Sequence, residues 1–105
     1  MKLLTEHIRK TLPKLYANDN IPLKDQIVRC KFFTPDSNWT WLVLEGQADV
    51  QRRDFIFFGY VIGQFPEAGN FLLSELEGLR GPLGLPVERD RHLKPTRLGD
   101  LVPDL

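Results

Sequence analysis

The segment Lys31 to Glu45 (Lys-Phe-Phe-Thr-Pro-Asp-Ser-Asn-Trp-Thr-Trp-Leu-Val-Leu-Glu) constrains the fold of this chain more than any other stretch. An aromatic-rich run of alternating character reads as a strand, because successive side chains of extended backbone point to opposite faces. Gln26 to Thr34 alternates in this way, with Val28, Cys30 and Phe32 on one face and Ile27, Arg29, Lys31 and Phe33 on the other. Thr34-Pro-Asp-Ser-Asn38 is a turn, since proline presets φ and Asp36, Ser37 and Asn38 can bond their own backbone. Asn38 to Glu45 then returns antiparallel, with Trp39, Trp41 and Val43 on one face and Thr40, Leu42 and Leu44 on the other. A chain with this hairpin at its centre is built around an antiparallel sheet.

The flanks complete an α+β pattern. Thr5 is placed to cap an amphipathic N-terminal helix, with Glu6 in its first turn and Leu4, Ile8, Leu12 and Leu15 at helical spacing, ended or kinked by Pro13. Gly46 to Arg53 reads as a polar connection. Asp54 to Gly63 is apolar on both faces, as in a central strand covered on each side, and Gly59 within it permits a bulge or a close neighbour. After a turn at Gln64–Gly69, Asn70 to Leu73 is short and extended, and Ser74-Glu-Leu-Glu77 matches a capping box. Gly81-Pro-Leu-Gly-Leu-Pro86 breaks the chain, Pro86 to Asp90 can add an edge strand, and Thr96 can cap a last helical turn stopped by Pro103. The expected architecture is a single domain over residues 1–105: one antiparallel meander of three to five strands, with the N-terminal helix and short C-terminal helices packed on one side of it.

Composition limits the functions. Lysines and arginines number 14 and acids 14, so the net charge is zero, and the basic excess that marks duplex nucleic-acid binders is missing. With 42% hydrophobic and 27% charged residues, the chain is ordinary for a globular protein. A single cysteine, no signal-like N-terminus and no apolar run approaching the ~20 residues of a membrane helix lead to a cytoplasmic, membrane-free expectation.

Catalytic constellations are sparse. Cys30 lies mid-strand among apolar neighbours, where a thiol is ordinarily an inert core residue. His7 and His92 stand near opposite ends, no His or Cys pair has metal-ligand spacing, and neither Ser37 nor Ser74 sits in a nucleophile elbow. Glu88 and Asp90 share one face of an extended segment, with Arg89 and Arg91 on the other. They either hold a divalent cation for hydrolysis, with Asp36 or Glu45 as a third carboxylate, or form a charged edge that blocks aggregation. Trp39 and Trp41 are either core or the anchor of a protein-binding patch. With only Arg29 and Lys31 near the aromatics, base stacking on a single strand is a minor alternative.

Lys31-Phe-Phe-Thr-Pro-Asp-Ser-Asn-Trp-Thr-Trp41 resembles the signature of a family of small bacterial proteins catalogued as a domain of unknown function. Asp54–Gly63, Leu73–Glu77, Arg80–Asp90, Lys94-Pro-Thr96 and the opening Met1-Lys-Leu-Leu and Leu12–Tyr16 continue the match across nearly the whole chain. The resemblance implies carriage on plasmids, conjugative elements and prophages, a link to anti-CRISPR inhibitors, and no enzymatic activity or cofactor. It brings no agreed active site. The shared motifs point to Asp36, Asn38, Trp39 and Trp41, and to Glu88, Arg89 and Asp90, as partner-binding residues. The resulting expectation is a protein-binding module whose partner is a CRISPR-associated nuclease. A metal-dependent hydrolase using Glu88 and Asp90, or a nucleic-acid-binding accessory of plasmid maintenance, are the alternatives.

Overall fold

In the computed structural model, which describes residues 1–105, the run expected as one strand divides into β1 (Ile27–Val28) and β2 (Cys30–Phe33). β3 (Thr40–Asp49), β4 (Asp54–Ile62) and β5 (Glu67–Leu72) follow as an antiparallel meander. β6 (Glu88–Arg89) returns to the free side of β2, giving the order β5-β4-β3-β2-β6. The expected single sheet is corrected by a second, two-stranded ribbon, in which β1 pairs with β7 (Thr96–Arg97).

β3 and β5 run longer than their side-chain patterns suggest. Gly46 to Asp49, expected as a connection, pairs with Phe57 to Asp54, and the chain reverses at Val50–Arg53, where Arg53 takes a left-handed φ of 53°. The backbone ladder offered by the nine-residue β4 decides this, since hydrogen bonding along a strand does not require apolar side chains. Gly59 is needed for close approach: a Cβ there would overlap the Leu42 carbonyl oxygen. Opposite it the register shifts between Val43 and Glu45, a bulge that leaves Leu44 unpaired.

Six successive residues of β3, Trp41 to Gly46, are buried, because both faces of the strand are covered. Trp41 and Val43 face the larger core, with Cys30, Phe32, Phe55, Phe57 and Phe71, while Leu42 and Leu44 face a smaller one with Val28 and Leu98. Phe57 is the aromatic centre of the larger core, edge-on to Phe32 at 5.5 Å and stacked on Phe71 at 5.4 Å. Glu45 is buried too, its carboxylate accepting the Tyr16 and Asn18 amides at 2.9 Å each. These bonds tie the Pro13–Pro22 loop to the sheet, and they account for a charge that would otherwise be costly to bury.

The helices are short. α1 (Glu6–Thr11) is capped as expected, Thr5 Oγ1 accepting the Ile8 amide at 3.2 Å, and it ends before Pro13, leaving Leu15 in the loop. α2 (Leu73–Gly78) begins one residue before Ser74, which corrects the expected capping box. Glu75, not Glu77, reaches back to the Leu72 amide at 2.9 Å. Ser74 donates its amide at 3.1 Å and its hydroxyl at 2.5 Å to Asp54, so a carboxylate at the start of β4 caps this helix from outside. α3 (Leu98–Leu101) follows Arg97 as its N-cap, and the Thr96 hydroxyl donates to the Lys94 carbonyl at 2.7 Å instead of capping.

The expectation of helices on one side fails for a physical reason. α1 and α2 add Ile8, Leu12 and Leu76 to the larger core, but the apolar second face of β4 (Phe58, Tyr60, Ile62) also needs cover. Leu98 of α3, Val28 of the ribbon, Leu23 of a 3₁₀ turn (Leu23–Asp25), Leu93 and Val102 provide it. No helix is long and apolar enough to cross a membrane.

Candidate binding surfaces

A meander places alternate turns at the same end of the sheet, and here the β2–β3 and β4–β5 turns share one end. The first is closed by Thr34, whose amide donates to the Trp39 carbonyl at 3.0 Å and whose hydroxyl accepts the Trp39 amide at 3.1 Å. Asp36 projects from it toward the Gly81–Pro86 loop and accepts the amides of Leu83 at 2.8 Å and Leu85 at 3.4 Å. Gly81 leaves room for that carboxylate, since a Cβ there would overlap it. The loop is also closed by bonds from Gly81 to the Leu85 carbonyl and from Gly84, with φ of 81°, to the Gly81 carbonyl. Asn38 beside them is exposed.

The two tryptophans separate. Trp41 is 5% exposed and belongs to the larger core. Trp39 is 42% exposed, lies stacked on Trp41 with centroids 5.9 Å apart, and covers Gly63, where a Cβ would strike its ring. The same end of the sheet carries Phe65, 76% exposed in the β4–β5 turn, and Leu83 is 79% exposed in the loop that Asp36 holds. Neither Phe65 nor Leu83 was singled out from the sequence. The available signal was their setting, a large apolar side chain in a Gly- and Pro-rich turn where burial is unusual.

Glu88 and Arg89 form the edge strand β6 of the sheet, and Asp90 follows them. Glu88 pairs with Phe33 and Arg89 with Phe32, and the Asp90 amide extends the ladder to the Lys31 carbonyl at 3.0 Å. Arg89 works inside the fold: its guanidinium clasps the N-terminal segment by donating to the carbonyls of Lys2 and Leu3. The Asp90 carboxylate accepts the His92 amide at 2.8 Å. Glu88 and Asp90 line a shallow cleft with Lys31, Phe33 and His92. Glu45 and Asp36, the carboxylates considered as third ligands, are held by backbone amides elsewhere, and no three His, Cys, Asp or Glu side chains converge to hold a metal ion.

On the other side of this edge lies a cleft of about 460 Å³ between α1, Arg29 and the segment Arg89 to Pro95. Cys30 reaches it from the core, and burial pushes its thiol up to about 12 against the opposing pull of Arg89, so it is a neutral thiol rather than a nucleophile.

No curated protein and no solved structure matches this chain. A family model described as a protein of unknown function, DUF2958, matches residues 3–99 and so takes in the sheet, both longer helices and every residue of the turn end and the β6 edge. The chain belongs to the DUF2958 family.

Proposed function

We propose that this protein is a non-enzymatic binding module that recognises another protein through the turn end of its sheet. The observation that carries the reading is the exposure of Trp39, Phe65 and Leu83 at one end of the sheet, Trp39 on a turn closed by Thr34 and Leu83 on a loop held by Asp36. Apolar side chains presented on a fixed scaffold lose little entropy on binding, and tryptophan is a favoured anchor of protein interfaces. The partner such a surface suits is a protein with an apolar pocket, joined by shape rather than by charge, in keeping with a net charge of zero. The family resemblance supports a CRISPR-associated nuclease as that partner and occlusion as the mode of action. Carriage on a mobile element and a cytoplasmic place of action belong to the same reading.

The test is a tagged pull-down with purified candidate nucleases, repeated with Trp39→Ala and Leu83→Asp. Stoichiometric capture by the wild-type chain, lost in both folded variants, is the expected result. Capture that survives both changes, or a failure to bind any nuclease at micromolar concentration, overturns the reading.

A further inference from the structure

The register of the short strands opens a gap in the sheet edge. Phe32 pairs with Arg89 and Val28 with Thr96. Between these pairs the inner chain has three residues (29 to 31), while the outer chain has six (90 to 95), so the outer segment cannot follow the ladder. Asp90 makes one more bond to Lys31, then the chain swings away and returns as β7. The 460 Å³ cleft is the space this detour leaves, closed on its third side by Thr5, His7, Ile8 and Thr11 of the α1 region.

Charge collects there. Arg29, Arg89 and Arg91 line the cleft against a single acid, Asp90, an excess of 3 − 1 = 2 positive charges in a chain whose net charge is zero. Neither Arg29 nor Arg91 takes part in an ion pair; the salt bridges of the protein join Arg52 to Asp49 and Arg97 to Asp25 and Asp100. Arg29 is half-buried at the cleft wall, its Nε enclosed without a hydrogen-bond partner where enclosed polar atoms ordinarily find one. With no carboxylate paired to it, the outer part of this guanidinium is available to an anion in the cleft.

We propose that this cleft binds a small phosphate ester, with Arg29 and Arg91 holding the phosphate. Guanidinium forks match phosphate oxygens in pairs, and two of them with little competing acid favour a dianion over a monocarboxylate. The volume is that of a small-molecule site, and Ile8, Leu93 and Pro95 supply an apolar wall for the organic part. His7 is the one ring at the cleft and no Phe, Tyr or Trp lines it, so a base is offered no large stacking platform. Arg89, committed to the N-terminal carbonyls, contributes charge from behind. The site is separate from the Trp39 surface and does not depend on it.

The experiment is calorimetric and NMR titration of the whole chain with inorganic phosphate, AMP and acetate, at low and at physiological salt. AMP is expected to shift the Arg29 and Arg91 resonances, to bind more tightly than acetate, and to weaken with salt. Arg29→Gln and, separately, the exposed Arg91→Gln should each lower AMP affinity by about tenfold or more, whereas Arg52→Gln should leave it unchanged. Arg91 is on the surface, so its variant folds even if the Arg29 change disturbs the sheet edge. Absence of any shift at millimolar AMP, binding unaltered in Arg91→Gln, or acetate binding as tightly as AMP would each overturn the proposal.

Discussion

The Asp36 carboxylate accepts the Leu83 amide across 47 residues of sequence, at 2.8 Å, and so ties the β2–β3 turn to the loop that leads into β6. The bond is possible because Gly81 has no side chain where the carboxylate sits. It fixes the most exposed apolar residue of the loop, Leu83, beside the Trp39 end of the sheet.

Replacing Asp36 with alanine should therefore free the Gly81–Pro86 loop without unfolding the sheet. The expected loss is about 1 kcal/mol, the net worth of a hydrogen bond whose exposed donors can turn to water. Amide exchange at Leu83 and Leu85 should speed up more than exchange in β3. Gly81→Ala should reproduce the effect, because its methyl group would displace the same carboxylate. Urea denaturation and hydrogen exchange check both.

The tryptophan pair should respond unequally. Trp41→Ala removes a core ring against Phe32 and Val43 and should cost about 3–5 kcal/mol. Trp39→Ala removes a stacked, half-exposed ring and should cost about 1 kcal/mol, the scale of an aromatic pair. Chemical denaturation of the two variants decides it; equal losses would place Trp39 in the core as well.

Asp54 should titrate low. The Ser74 hydroxyl, then the Phe55 amide, with the Ser74 amide and the Arg52 charge adding less, hold its carboxyl below the ordinary carboxylate value. A depressed folded pKa contributes stability above the unfolded value of about 3.9, and that contribution disappears as pH falls through the folded pKa. In Ser74→Ala the Asp54 titration, followed by carboxyl-carbon NMR, should move up toward the ordinary value. The acid limb of the stability curve should shift with it.

Cys30 should be unreactive in the native state. With its thiol raised to about 12 by burial, disulfide exchange with a chromogenic reagent at mildly alkaline pH should wait for unfolding and become fast in denaturant. The raised value also gives a sign for alkaline stability. The unfolded thiol ionises from about 8.5 upward while the folded one stays protonated, so stability should decline as pH rises from there toward 12. Cys30→Ala should lack that decline, at the expense of some core packing.

Much of the fold was legible in the sequence because it depends on local signals. Alternation announced β2 and β3, Thr5 and Pro13 bounded α1, and the double-sided apolar run marked β4 as central. The candidate site was legible in part: the Asp36–Trp41 turn and the Glu88–Asp90 edge could be picked out, but not their relation to each other. Pattern alone could not separate Trp39 from Trp41, since both fall at odd positions and only the position of the strand end leaves one half-exposed.

What the sequence determined by itself, then, was the kind of object: strands by alternation, turns by proline and glycine, a neutral surface by composition. The tertiary structure decided everything that depends on contacts between distant segments. Asp54 caps a helix that begins 19 residues later, because the β4–β5 pairing carries the start of α2 back to it. The ribbon of β1 and β7 and the arginine cleft exist because backbone register, which side-chain periodicity specifies only within a strand, left three residues facing six. A one-dimensional pattern records which face a residue prefers, but only the closed hydrogen-bond ladder selects the neighbour it meets there.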